Sequence, residues 1–250
     1  MKKYFVCALA ALSFTACVNE DGLLSETKGY INLNVNAEEN VNVTRGTVSN
    51  TATDWYVKVN QDEPITVAAL ASKAYGASDN NTLTAYNYAD MAAALAANDG
   101  RGAAYWTGTS GTFAIRAGET ADVIVECGKA QNAAFAAVFN ETFTTVASGY
   151  KLTAKSGSRS LDFDATNTSD GYFAPGTITY TIAATVNGKS VNVSKDLTLT
   201  AGTKTTLTVK ANTNGTISLS ITYDNMTSES KGITIDAATG EEVPETPVTE

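Results

Sequence analysis

The chain contains no histidine. This removes Ser-His-Asp and Cys-His catalysis, imidazole metal ligation and histidine-based pH switching together. Cysteine is nearly as scarce, with only Cys7, Cys17 and Cys127. The first two lie at the extreme N-terminus, so the body of the protein holds one cysteine and cannot form an internal disulfide. Cys127 closes the alternating run Val123-Ile124-Val125-Glu126-Cys127. That pattern predicts a buried, inert thiol in a strand rather than a nucleophile with a base beside it. Basic residues are outnumbered, 17 Lys and Arg against 26 Asp and Glu, for a formal net charge of −9. Nucleic acid and anionic membrane surfaces both select basic patches, so neither is an expected partner. No phosphate loop, metal-ligand spacing or nucleophile motif occurs. The expectation is a protein that is not an enzyme, with no cofactor and no metal.

A long hydrophobic run is also missing. The apolar stretch from Tyr4 to Leu12 is well short of the roughly 20 residues that cross a bilayer as a helix. It follows Met1-Lys2-Lys3 and precedes Ser13-Phe14-Thr15-Ala16-Cys17. A cationic start, a short apolar region and small residues before a cut site are the parts of a secretory signal. Phe14-Thr15-Ala16-Cys17 resembles a lipobox, with Phe14 where Leu is usual. The reading is a signal peptide over 1–16, cleavage before Cys17, and a lipid on the Cys17 sulfur that anchors the protein in the outer membrane; two or more acyl chains hold stably where one does not. Glu20-Asp21 resembles an acidic surface-export signal of Bacteroidetes lipoproteins, the alternative being a plain solvated tether over 17–28.

Beyond the tether, period-two alternation recurs, and this is the mark of half-buried strands. Gly29 to Asn36 alternates apolar residues with Asn, and Asp54 to Val59 is similar. Thr112 to Arg116, the turn Ala117-Gly118-Glu119, and Thr120 to Cys127 read as a hairpin. Gly176 to Val186, Asn187-Gly188, and Ser190 to Thr200 read as a second hairpin, because Asn-Gly supplies the positive φ angles of a tight turn. Asn132 to Asn140, Tyr150 to Ala154, Thr203 to Lys210 and Thr216 to Tyr223 continue the series. Tyr88 to Asn98 fits either a short helix or a small-residue strand. Short strands with regular turns predict an all-β sandwich architecture. A change in composition near Gly128-Lys129 divides it into two tandem β-sandwich domains, 29–128 and 129–238. The acidic stretch 239–250, with Pro244 and Pro247, reads as a disordered tail.

These features carry a resemblance. The lipobox, the acidic pair, the first strand and then Val43-Thr44-Arg45-Gly46 resemble, in that order, the fimbrillin-like lipoproteins of Bacteroidetes. Tyr105-Trp106-Thr107-Gly108, Gly111 to Thr120, and Gly171-Tyr172-Phe173-Ala174-Pro175-Gly176 resemble blocks of a related lipoprotein family without an assigned function. The resemblance implies transthyretin-like or Ig-like sandwiches and a surface-exposed, outer-membrane adhesin or pilus-type subunit. It also implies assembly by strand exchange, with other subunits or copies of itself as partners. In such proteins an arginine-specific protease cuts after the first strand, here at Arg45, and a donor strand fills the groove. The donor here would be Gly232 to Asp236. The alternative is that Arg45 is an ordinary loop residue. A different function, a carbohydrate-binding accessory lipoprotein of a glycan-uptake system, fits the aromatic residues. Tyr86, Tyr88, Tyr105 and Trp106 are candidates for a sugar-stacking surface, with Tyr105, Trp106 and Tyr172 the first place to look for a glycan or host-protein ligand. Asp162 and Asp164, two apart on a strand, are candidates for calcium or acid–base chemistry, or simply a solvated face. Asp79-Asn80-Asn81 is either a calcium loop or turn chemistry.

Overall fold

A computed structural model describes residues 27–37 and 55–211, and the backbone of 217–224, 232–235 and 242–243. The signal peptide, Cys17, the Glu20-Asp21 pair and Arg45 lie outside the described residues. The chain folds all-β, as its alternation predicts.

The first half carries β1 (Lys28–Ala37), β2 (Tyr56–Val59), β3 (Ile65–Thr66), α1 (Val67–Leu70), β4 (Tyr75–Gly76), β5 (Ser78–Asn81), β6 (Leu83–Tyr86), α2 (Met91–Ala96), β7 (Thr107–Thr109), β8 (Phe113–Ile115) and β9 (Thr120–Gly128). The second half carries β10 (Ala133–Phe139), α3 (Glu141–Thr144), β11 (Ala147–Ser156), β12 (Arg159–Phe163), β13 (Gly171–Phe173), β14 (Gly176–Val186), β15 (Lys189–Leu199), β16 (Lys204–Ala211), β17 (Ile217–Asp224), β18 (Gly232–Ile235) and β19 (Glu242–Val243). The last of these falls within the stretch expected to be disordered, and pairs with β18.

Two apolar cores result. One gathers Ile31, Trp55, Val57, Leu83, Trp106, Ile115, Val123, Val125 and Cys127. The other gathers Phe135, Phe143, Leu152, Phe163, Phe173, Tyr180, Leu197 and Leu207. The second core lies between a sheet ordered β13-β10-β16-β17-β18-β19 and a sheet ordered β12-β11-β14-β15. Sheets facing one another this way bury alternate residues. In β14 the inward set is Ile178, Tyr180, Ile182, Ala184 and Val186. Phe163 and Phe173 both meet Phe135 edge-on, at centroid distances of 5.3 and 6.3 Å.

The hairpin predicted from Asn187-Gly188 forms in full register, from Gly176↔Leu199 to Val186↔Lys189. Both turn residues are left-handed, with φ of 50° and 79°, and this matches the twist of the strands they join. Gly188→Ala is expected to lower stability by about 1 kcal/mol through the left-handed penalty, read as a lower denaturation midpoint with an unchanged slope.

The other predicted hairpin does not form. Its turn exists, with the Glu119 N–H donating to the Arg116 carbonyl at 3.2 Å. The arms then take different partners: β8 pairs with β5, and β9 pairs in parallel with β1. The cause is β1 itself, which engages the turn. Gly118 N–H donates to the Lys28 carbonyl at 2.8 Å, and Tyr30 N–H to the Glu119 carbonyl at 2.9 Å. Parallel pairing joins strands far apart in sequence, so a local pattern could not reveal it. The second half repeats the device, with β10 pairing in parallel with β16.

Tyr88 to Asn98 resolves as α2. Asp90 caps it, accepting from the Ala93 N–H at 2.8 Å, which satisfies one of the donors a helix start leaves open. Asn98, Asp99 and Gly100 follow with left-handed φ angles of 52°, 54° and 82°, so the chain reverses sharply before Arg101.

Candidate functional site

The candidate residues fall in three different settings. Trp106 is only 6% exposed and belongs to the first core. Its ring therefore does not offer a surface to a sugar, and a platform of Tyr105, Trp106 and Tyr172 together does not form. Tyr105 and Tyr172 are half-buried, and their backbones meet the junction between the two cores.

Arginine and asparagine build that junction. Arg101, placed by the left-handed run after α2, donates from Nη1 to the Asp162 carbonyl at 3.0 Å and from Nε to the Asp170 carbonyl at 3.3 Å. Its Nη2 bonds the Ser169 carbonyl. The same guanidinium lies over the Phe163 ring at 4.5 Å. From the opposite side, Arg159 Nε donates to the Tyr172 carbonyl at 2.7 Å and Nη2 to the Gly100 carbonyl at 2.8 Å, with its guanidinium 5.4 Å from the Phe173 centroid. The Tyr172 N–H returns a bond to the Arg101 carbonyl at 2.8 Å. Burial pushes both guanidinium pKa values down, and Arg101 pushes Arg159 further in the same direction. Asn132, 1% exposed, donates to the Ala103 carbonyl at 2.7 Å and accepts the Tyr105 N–H at 2.9 Å. Gly102 has φ of 86°, and a Cβ there would come within 2.9 Å of the Tyr172 Cβ. A planar, multi-donor guanidinium is suited to binding several carbonyls at once. Nothing in the spacing of Arg101 and Arg159 along the sequence pointed to this pairing.

The candidate carboxylates are already engaged by the protein. Asp162 accepts from Thr153 Oγ1 at 2.7 Å and from Lys151 Nζ at 3.1 Å. The Thr153 hydroxyl first, and Lys151 after it, hold its pKa below the ordinary carboxylate value. Asp164 turns away to close a local loop, accepting from the Thr166 hydroxyl at 2.7 Å and the Asn167 N–H at 2.9 Å. Those bonds, the Thr166 hydroxyl foremost, lower its pKa too. Neither side chain is poised as a proton donor at neutral pH, which a glycosidase acid must be. Asn81, 3% exposed, bonds Asn60, Ser78 and the Phe113 carbonyl, while Asp79 pairs with Arg116 at 2.8 Å. Asp79 and Asn81 lie on β5, whose pairing with β8 shifts register between Ser78 and Asn81, so the segment is an irregular strand rather than a turn. Among the described residues, no group of three or more Cys, Asp or Glu side chains is arranged to hold a metal.

Cys127 is buried, and desolvation first, then Glu126, pushes its thiol up to about 11. An unfolded thiol ionises near pH 8.5. The folded state therefore holds its proton over a window in which the unfolded state releases it. The contribution is intact below the unfolded value and is lost as pH rises toward about 11. Comparing wild type with Cys127→Ala, the stability difference is expected to be flat to about pH 8 and then to change against wild type, measured by denaturant unfolding at each pH.

Tyr105 also approaches a separate group of tyrosines. Tyr56 on β2 is 42% exposed, and its ring lies 6.0 Å from that of Tyr86 on β6, with 18° between the planes. Burial first, then Tyr105 and Tyr56, raises the Tyr86 phenol pKa.

A family model matches residues 27–239. The chain belongs to DUF4493, a domain of unknown function. Solved structures similar to this DUF4493 protein include one from Bacteroides ovatus whose name proposes a role in cell adhesion. It shares 13% identity, covers 78% of this chain and 96% of its own, and superimposes with a TM-score of 0.41. A similarly named protein of Bacteroides thetaiotaomicron shares 14% identity over 75% of this chain and 93% of its own, TM-score 0.37. One from Bacteroides uniformis shares 9% over 69% and 91%, TM-score 0.39. No curated protein matches the chain. Among the described residues, no helix is long and apolar enough to cross a membrane.

Proposed function

We propose that this DUF4493 protein is an exported, lipid-anchored surface protein of fimbrillin type, built of two tandem sandwich domains over 29–128 and 129–238. It acts as an adhesin or pilus-type subunit that assembles by strand exchange. The observation that supports this reading most is the seating of β1. Among the described residues β9 ends its sheet, and β1 is its ladder partner from Tyr30 to Ala37. Ile31 fills the core, and on the outer face Asn32 and Asn36 donate to Asp122 and Glu126, each at 2.8 Å. Away from β9, β1 pairs with β4 only through Lys28 and Gly29. Loss of β1 would leave the β9 backbone unpaired beside apolar core, the condition that strand addition satisfies. Cleavage at Arg45, soon after Ala37, would free it.

Within the candidate donor, Gly232 to Asp236, the described residues Gly232–Ile235 are engaged as β18, paired with β17 on one side and with β19 on the other. Donation therefore requires it to leave a short ladder near the end of its sheet. The test is assembly of the surface protein on gels without boiling. Wild type is expected to give SDS-resistant ladders, and Arg45→Ala only monomer; ladders from the variant would remove Arg45 from the account.

A second reading, a carbohydrate-binding accessory lipoprotein of a glycan-uptake system, draws support from the exposed Tyr56 on β2 and its half-buried stacking neighbour Tyr86 on β6.

A further inference from the structure

We infer that the outer face of the β3-β2-β6-β7 sheet is a binding site for neutral oligosaccharide, with Tyr56 and Tyr86 as its stacking surface and Tyr105 at its border. The inference rests on the surface reading above and supplies the ligand class for it.

The alternation of the sheet separates its two faces. Val57, Val59, Leu83 and Ala85 point inward and are at most 2% exposed. The partners on the other face line up in rows. Thr66, Tyr56, Tyr86 and Thr107 lie across one row, and Lys58, Thr84 and Thr109 across the next. Of the large apolar side chains exposed among the described residues, Tyr56 alone has a stacked aromatic neighbour. Tyr105 lies at the edge of the row, close enough to Thr107 for that side chain to act on its phenol. The Thr84 and Thr109 hydroxyls meet at 3.0 Å, and Lys58 Nζ approaches Gln61 at 3.4 Å.

This chemistry fits a sugar. A pyranose presents an apolar C–H face, which rests on an aromatic ring, and a rim of hydroxyls, which needs donors and acceptors at the sides. The face supplies near-parallel rings flanked by threonine hydroxyls, a lysine and an amide. Beside the tyrosines, these two rows carry only threonines and a lysine. Burial first, and then the nearby negative charge of Asp90, raises the Tyr105 phenol, and the whole chain is acidic at −9. Asp90 and the net negative charge repel sialylated or sulfated glycans, outweighing the one lysine, Lys58, in these two rows, so the occupant is neutral. A cross-strand tyrosine pair also steadies a sheet by a few tenths of a kcal/mol up to about 1 kcal/mol. Stability alone would therefore not identify the site.

The test is the purified full chain on an array of neutral and sialylated oligosaccharides. Wild type is expected to bind neutral members. Tyr56→Ala and Tyr86→Ala are each expected to weaken that binding by about tenfold or more, as loss of a central aromatic anchor does, while Tyr56→Phe keeps the ring and stays within about threefold. Far-ultraviolet circular dichroism confirms that the variants fold. A blank array, binding confined to sialylated glycans, or binding untouched in Tyr86→Ala overturns the assignment. A blank array from a protein shown to be on the cell surface defeats the glycan site alone. Array binding by a protein found only inside the cell defeats the surface reading alone.

Discussion

Arg101→Ala is expected to cost about 3 kcal/mol or more and to split one unfolding transition into two. The magnitude follows from three charge-assisted bonds to carbonyls, each worth more than a neutral pair, and a cation held over the Phe163 ring. Removing the guanidinium leaves the carbonyls of Asp162, Ser169 and Asp170 without their donors. It also leaves Arg159 and Asn132 as the remaining named side-chain ties across the junction. The two cores then lose the contact through which one steadies the other, and two-state behaviour fails. Arg101→Lys should recover little, because an ammonium cannot reach three carbonyls in one plane while stacking on a ring. Denaturant unfolding followed by intrinsic fluorescence reads this well, since Trp55 and Trp106 report on the first core alone. A single transition with an unchanged midpoint would show that the clasp does not couple the cores.

Gly29→Val is expected to unseat β1. A Cβ at this position would lie 2.3 Å from the Arg116 carbonyl oxygen and 3.0 Å from that of Glu119. Both atoms are backbone, fixed by the turn that β1 engages, so neither can yield as a flexible side chain would. The cost is about 3 kcal/mol or more, the range of severe backbone and packing conflicts, and it falls on the strand that, among the described residues, alone pairs with β9. Amide hydrogen exchange should therefore quicken across Val123 to Cys127 while the second core stays protected. On the proposed function the same change should speed strand exchange, because the plug is already loosened. Unchanged protection at β9 would mean that β1 seats without needing Gly29.

These expectations differ in how far the residues themselves revealed them. The β14–β15 hairpin was legible because Asn187-Gly188 carries its own turn geometry, and the strands on either side alternate without interruption. The β8–β9 hairpin was misread for an equally local reason. Gly118 makes a good turn, but the chain beyond it pairs with β1, which enters from ninety residues away. Asn32 and Asn36 gave no hint that they bind Asp122 and Glu126, since an alternating Asn looks like any solvated strand face. The short strands β12 and β13 lie in a polar stretch whose burial depends on two arginines from other parts of the chain. Arg101 and Arg159 read as surface charge in sequence; only the fold shows them facing carbonyls and rings instead of carboxylates. Trp106 misled because an aromatic residue serves a core as readily as a ligand, whereas Tyr56 and Tyr86 came together only through β2–β6 register. Cys127 was legible, because alternation alone put it on the buried face.

The most direct test of the account is the N-terminal mass of the protein taken from the native cell surface, with the size of its assembly measured in the same preparation. Strand exchange predicts a chain that starts at Gly46 within a large assembly, β1 having left with the anchored segment. A chain that starts at lipidated Cys17 and runs as a monomer would contradict it.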